Sequence, residues 1–289
     1  MLEASPSGNE EIADWLELAI LAGGQKGNAN HKIQSWANDW ANLTELQVAS
    51  GLKAMERRSN LLGPKYPFQV NEFAVVFDQS MEVSSYTYLL LITRPGTSVS
   101  WQSPAPTQEE SDLFEEVVAL ALKDYLGEPA EAIPFGWPSK FGRPAEFPLA
   151  IDWIAGKMGL KLGGAFRPPR RKDGGVDVVA WKPFKDRRSG FPIYLVQCTL
   201  QKEYVSKSRD IDLRIWAGWL EMDRDPITIL AIPRSISPGE SWNEVTANSI
   251  IFDRFRLVES LNNPIPQAQR VYVGELVSNF RKFVASHLE

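Results

Sequence analysis

Apolar positions recur at helical spacing through the first sixty residues of this chain. Asn9 to Leu21 predicts a helix with Ile12, Trp15, Leu16, Ala19 and Ile20 on one face, ended by Gly23-Gly24. Gly27 to Asn30 reads as a loop, after which Ile33, Trp36, Ala37 and Trp40 resume the spacing. Thr44 with Gln47 three residues on predicts a capping box for a helix running to about Arg58. The aromatic residues fall at helical spacing, so a helical-bundle core is the reading preferred over a docking or base-stacking surface. Past Gly63-Pro64 the pattern changes. Phe68–Asp78 and Tyr86–Thr93 are rich in Val, Phe, Tyr, Leu and Ile, and predict strands. Pro95 to Pro106 is a loop. Thr107–Leu126 predicts an amphipathic helix, with Thr107 and Glu110 as a second capping box, a stripe of Leu113, Val117, Leu120 and Ala121, and Gly127 and Pro129 as the stop.

Glu128 to Pro144 is rich in proline, shows little periodicity, and reads as a linker. Phe147, Ile151, Ile154 and Met158 then predict a helix with Pro148 in its first turn, closed by Gly159. Strands are expected at Leu160–Phe166, within Gly174–Trp181, within Pro192–Lys202 and at Ile227–Ile232, with a helix over Ser206–Met222 before the last. Ala247–Leu261 and Val273–Leu288 read as closing helices. The expected organisation is an N-terminal α+β module over residues 1–130 and a second module over 131–289, so the fold class is α/β in the mixed, α+β sense.

Composition narrows the function. The chain has 289 residues, 44% hydrophobic and 23% charged, the ordinary range for a packed globular protein. A net charge of -5 argues against a surface coated for nucleic acid and leaves room for a local basic patch. Cys198 is the single cysteine, which fits a reducing cytoplasm. Two histidines, His31 and His287, stand far apart, so zinc sites and histidine triads are poorly supported. Glu3, Glu10 and Glu11 near the N-terminus do not suit a signal peptide, and no apolar run is long enough to span a membrane.

The informative stretch is Gly174 to Lys202, two β-type runs around a polar loop. Asp177 lies within a run of Val and Ala, where a carboxylate is costly to bury unless its charge is compensated. A divalent cation is the simplest compensation, and capping of the Gly174-Gly175 turn is the alternative. Gln197, after four apolar residues, could complete such a site or satisfy a backbone group at a sheet edge. Arg167, Arg170, Arg171, Lys172, Lys182, Lys185, Arg187 and Arg188 cluster along the sequence around Asp177, and Lys207 and Arg209 follow. Such a run suits phosphate-backbone contact, the alternative being a solvated loop. Cys198 reads as a small buried apolar residue.

Gly174-Gly175-Val176-Asp177 followed by Val196-Gln197-Cys198 resembles the PD-(D/E)XK nuclease superfamily, most closely its Mrr-like restriction branch, over roughly residues 143–233. The resemblance implies a restriction-endonuclease-like αβββαβ core in the C-terminal half. It implies an endonuclease that hydrolyses DNA phosphodiester bonds with Mg²⁺ or Mn²⁺. Asp177, Gln197 and the helix glutamate Glu146 would be the metal ligands, Asp152 being less favoured for that last place. The family lysine position is Thr199, and Lys202 would substitute as the residue that orients water or meets the phosphate. The implied setting is restriction or anti-phage defence in the cytoplasm, with an ATPase or sensor on another chain, since no phosphate-binding Gly-x-x-x-x-Gly-Lys pattern is present. Cutting both strands favours a homodimer. Two other readings are a catalytically silent nuclease fold that binds DNA or assembles a complex, favoured by Thr199, and an interaction protein without nucleic acid.

Overall fold

The computed structural model describes residues 8–23, 27–93, 106–138, 140–165, 167–169, 172–237 and 239–287. In chain order the elements begin α1 (Asn9–Gly23), β1 (Gly27–Ala29), α2 (Asn30–Ala41), α3 (Glu45–Leu62), β2 (Phe68–Val70), β3 (Ala74–Phe77), α4 (Ser85–Ile92) and α5 (Gln108–Leu126). They continue β4 (Glu131–Pro134), α6 (Phe147–Met158), β5 (Val178–Trp181), β6 (Ile193–Cys198), α7 (Leu213–Trp219), β7 (Ile227–Ala231), α8 (Glu240–Thr246), β8 (Ile250–Phe252), α9 (Arg254–Ser260) and α10 (Gln267–His287). The class is mixed α+β, as expected. The chain forms two units, one of residues 1–106, 233–237 and 263–289, the other of 107–232 and 238–262. The boundary expected at residue 130 therefore moves upstream, because α5 packs on β4, β5 and β6 of the second unit. The expected second module also yields α10 to the first unit, where it packs on α1 and α4.

The second unit is built on a five-stranded sheet in the order β4-β5-β6-β7-β8. The first three strands are antiparallel neighbours, and β6, β7 and β8 run parallel. One core gathers Phe135, Val179, Trp181, Ile193 and Leu195 with Ile151 and Ile154 of α6 and Trp216 and Trp219 of α7. Several expectations are corrected here. The proline-rich linker contains β4, an edge strand, and edges tolerate Pro134. Leu160–Phe166 is not a strand over its described residues, where Leu162 makes only an isolated bridge to Leu220. The helix expected over Ser206–Met222 is a 3₁₀ turn, Val205–Arg209, and then α7, started by Asp212, whose carboxylate accepts from Arg214 N–H and Ile215 N–H. The helix expected over Ala247–Leu261 is broken by β8, and Asp253 caps α9 in its place.

In the first unit both the Thr44–Gln47 box and, at the start of the second unit's α5, the Thr107–Glu110 box form as expected. β1, β3 and β2 make a three-stranded antiparallel sheet, so Gly27–Ala29 is an edge strand and not a loop. Tyr86–Thr93 is not a strand. Ser84 accepts from Thr87 N–H and starts α4, which is buried from Tyr86 to Ile92; a helix buried on all sides shows no period to betray it. Trp15 is buried, as the core reading expects, and meets Trp40 edge-on, whereas Trp40 and the Trp36 stacked on it are half-buried.

α1 and α3 approach closely at Gly51, where an added methyl group would lie 2.6 Å from Ile12. Alongside, the fully buried Arg58 binds Glu10 at 2.6 Å, Asp14 at 2.7 Å and Glu17 at 2.6 Å. Tyr66 and Tyr86 also donate to Glu17, at 2.6 Å and 2.8 Å. Burial works to lower the Arg58 pKa, but Glu17, Tyr86 and Asp14 outweigh it and the net shift is upward. Removing the cation would strand several buried acids. We expect Arg58→Met to cost about 3–5 kcal/mol, read from the denaturant midpoint of the full chain.

Candidate functional site

The Gly174-Gly175 turn sets the position of Asp177. Both glycines have positive φ, 68° and 79°. A side chain at Gly174 would meet Trp219 at 2.8 Å, and one at Gly175 would meet the Asp210 carbonyl oxygen at 2.7 Å. Trp216 Nε1–H donates to Gly174 O, and Gly175 N–H donates to the Asp173 carboxylate. With the turn fixed against α7, Val176 is buried and the chain enters β5.

Asp177 lies one residue before β5, in a bend. Its N–H donates to Val196 O at 2.8 Å, and its carbonyl accepts from Phe135 N–H at 2.6 Å and Gly136 N–H at 3.1 Å. Its carboxylate accepts from Cys198 N–H at 2.6 Å and from the side-chain amide of Gln197. That amide also donates to Cys198 O at 3.0 Å. Gln197 is 7% exposed, and its carbonyl oxygen Oε1 is buried without a hydrogen-bond partner. The turn-capping alternative for Asp177 is not met, since Asp173 makes that bond.

The second carboxylate is one that the sequence did not single out. Glu115, on α5, lies so close to Gly136 that a methyl group there would sit 2.6 Å and 2.8 Å from its two carboxylate oxygens. Gly136 is also a backbone partner of Asp177, so one glycine borders both acids. Burial pushes the Glu115 carboxyl up to about 9, helped by Asp177, then Asp112 and Asp173, while Lys140 pulls the other way. The same two acids act on Cys198: burial raises its thiol well above the usual value, with Asp177 and Glu115 adding to the effect. That thiol is held protonated, which does not suit a nucleophile. The only sequence signal for Glu115 was its place beside Asp112 on an acidic helix, and acidic helix faces are ordinarily solvated.

The other expected residues divide. Glu146 is the exposed N-cap residue of α6 and makes no side-chain cap, and Asp152 is exposed on that helix. Neither joins Asp177. Lys202 is exposed beyond β6 and makes no ion pair among the described residues. Thr199 is buried, with its hydroxyl accepting from Gln201 N–H. Arg170 and Arg171 lie outside the described residues. Lys172 is exposed, with its ammonium 4.6 Å from the Trp137 ring centre. Lys182 donates to Leu126 O, at the C-terminus of α5, where a cation is favoured. Lys182, Lys185, Arg187 and Arg188 follow β5, whereas Asp177 precedes it. The length of the strand, roughly 16 Å from Asp177 to Lys182 at 3.3 Å per residue, separates residues that are neighbours in sequence. The basic loop thus does not border the acid pair. Lys207 and Arg209 follow β6 at the Asp177 end, and are paired with Asp210 and Glu244 at 3.4 Å and 3.0 Å.

Comparison with protein-family models, with curated proteins and with solved structures finds no match. No helix among the described residues is long and apolar enough to cross a membrane. Among them, too, no trio of His, Cys, Asp or Glu is gathered for a metal ion. What Asp177, Glu115 and Gln197 offer is two carboxylates and one neutral oxygen. That donor set fits a hard divalent cation, which takes oxygen ligands and retains several waters. The partnerless Gln197 oxygen and the crowded acids are the features such an ion would relieve.

The raised Glu115 carboxyl fixes a pH dependence. Its proton is retained in the fold up to about pH 9, whereas the unfolded chain releases it near 4.5. The folded state thus binds more protons across that window, and its contribution to stability is lost as pH rises. We expect Glu115→Gln to raise the thermal midpoint of the metal-free protein by several degrees at about pH 8. The gain should shrink towards the acid end of the window, as followed by calorimetry across pH.

Proposed function

We propose that this chain is a metal-dependent nuclease acting on DNA, with Asp177, Glu115 and Gln197 at its centre. The observation that carries this is a pair of acids, Asp177 and Glu115, bordered by one glycine at one end of a mixed sheet, beside an amide whose buried oxygen has no partner. The order of elements supports it further. Helix α5, three antiparallel strands (β4, β5, β6), helix α7 and the parallel β7 follow the helix–strand–strand–strand–helix–strand order of the family that the sequence resembles, with α6 inserted after the first strand. On this reading the helix acid is Glu115 rather than Glu146.

The residues would divide the work as follows. Asp177 is held by the Cys198 N–H, which fixes one carboxylate oxygen and leaves the group as an anionic ligand. Gln197, whose amide nitrogen donates to Asp177, would have to turn its buried and partnerless carbonyl oxygen toward the ion to serve as a neutral ligand. Glu115, whose carboxyl burial and the neighbouring acids raise to about 9, would give up its proton to serve as an anionic ligand to a bound cation. Gly136 keeps the space between β4 and α5 open. A divalent ion such as Mg²⁺ or Mn²⁺ held there would make a bound water nucleophilic and offset charge on the phosphate. Lys172, Lys207 and Arg209 are among the described basic residues of the sequence cluster at the Asp177 end of the sheet, where a phosphate backbone would run. Cutting both strands would need two such sites, which favours a twofold dimer. A role in restriction or defence, in a cytoplasmic setting with an ATPase or sensor partner, rests on the family resemblance alone.

Thr199 in place of the motif lysine favours a second reading, a silent nuclease fold that binds DNA or assembles a complex. Plasmid cleavage with Mg²⁺ or Mn²⁺ separates the two. On the nuclease reading, Asp177→Ala lowers the rate by at least about a hundredfold, and Gly136→Ala, whose methyl group meets Glu115, also lowers it. Equal nicking by wild type and Asp177→Ala, or none by either with DNA binding retained, favours the silent fold.

A further inference from the structure

Negative charge that grows on a phosphate during attack is stabilised best by cations already in place. Thr199 carries no charge, so another residue has to bring a positive group to the acids. Other described cations near this end of the sheet are occupied or distant, Lys207 and Arg209 being paired with Asp210 and Glu244. Arg143 is 4% exposed, with its guanidinium 4.4 Å from the Phe135 ring centre, and it donates to Pro144 O and Lys172 O. The Lys172 ammonium rests on Trp137. Lys202 is exposed and joined to none of the site residues.

Lys140 differs. Its ammonium forms an ion pair with Asp112, one helical turn before Glu115 on α5. Its backbone lies four residues beyond Gly136, the glycine that borders both Glu115 and Asp177. Asp112 is nearly buried, at 8%, and its other oxygen accepts from Gln108 at 2.8 Å, so the acid is a fixed post. The Lys140 side chain is 49% exposed and has room to swing. The lysine end of the pair is open to water, so a phosphate can reach the ammonium and displace Asp112 as its partner. We propose that Lys140 is the residue that meets the substrate phosphate, and that Asp112 parks it in the free protein. This rests on the nuclease reading for its catalytic part, though contact with a phosphate does not.

Two measurements on the full chain test it. The first is binding of a short blunt DNA duplex without divalent ions, followed by anisotropy over a range of KCl. Lys140→Ala should weaken binding and lower the slope of log K against log salt by about one. Lys140→Arg should keep the slope. Asp112→Asn, which frees the ammonium, should tighten binding. The second is plasmid cleavage with Mg²⁺ or Mn²⁺, where Lys140→Ala should lose about tenfold or more and Lys140→Arg should recover part of it. Circular dichroism checks that each variant is folded. An unchanged slope in Lys140→Ala overturns the proposal, as does absence of salt-dependent duplex binding by the wild type. So does a larger loss of cleavage in Lys202→Ala than in Lys140→Ala. If Asp177→Ala is dead while Lys140→Ala cuts like wild type, Lys140 fails and the nuclease reading stands. If the slope changes but neither wild type nor Asp177→Ala cuts, the nuclease reading fails and the phosphate contact stands.

Discussion

Asp177 joins three strands through one residue. Its N–H goes to the β6 carbonyl of Val196, its C=O takes two N–H groups from the chain leaving β4, and its carboxylate takes the Cys198 N–H at the end of β6. An apolar residue at this position would keep the first two links and lose the third. The Cys198 amide, in a buried strand end, would then lack its acceptor, and an unsatisfied buried donor costs about 1–3 kcal/mol. The structural and chemical roles of Asp177 are therefore not separable by its burial alone. They are separable by Gln197, which the ladder does not need. Its nitrogen serves the fold, donating to Asp177 and to the Cys198 carbonyl, but neither bond accounts for an oxygen buried without a partner.

The surroundings of that pair are overloaded with acid. Asp112, Asp173 and Asp177 all act on Glu115, and Lys140 is the cation that opposes them there. A fold selected for stability alone would replace Glu115 by glutamine or an apolar residue, since a carboxyl raised to about 9 is a stability cost at neutral pH. Retaining the acid makes sense if something outside the chain brings positive charge. This is an argument about function drawn from a local failure of packing economy, and functional sites are where such failures are expected.

How much of this was legible in the sequence follows from the physics of each signal. Asp177 and Gln197 were legible because an acid and an amide interrupt apolar β-type runs. The capping boxes at Thr44 and Thr107 were legible because a cap is a local bond over three residues. Glu115 was not, because its meaning depends on β4, and β4 is four residues ending in Pro134 within a stretch that otherwise reads as linker. Once that edge strand pairs with β5, α5 belongs to the sheet and its acid lies beside Asp177. Glu146 stands apart from Asp177: it is the exposed N-cap residue of α6, with no side-chain bond to the acid. The basic loop misled because adjacency in sequence ignores the length of a strand. Lys182 and Asp177 flank the same β5 at opposite ends.

The first unit provides an internal contrast. It too buries a cluster of acids, Glu10, Asp14 and Glu17. There the chain supplies its own counter-charge. Arg58 reaches all three, and Tyr66 and Tyr86 fill the remaining acceptor positions of Glu17. The same sequence therefore satisfies buried carboxylates when they serve the fold. At the end of the five-stranded sheet it does not: Glu115 makes no hydrogen bond among the described residues, the Gln197 oxygen is left over, and the nearest lysine is tied to a different acid by a bond half open to water. One chain, under one set of packing constraints, treats two acid clusters in opposite ways. The difference is best explained if the first is closed by an internal cation and the second is kept open for an external one.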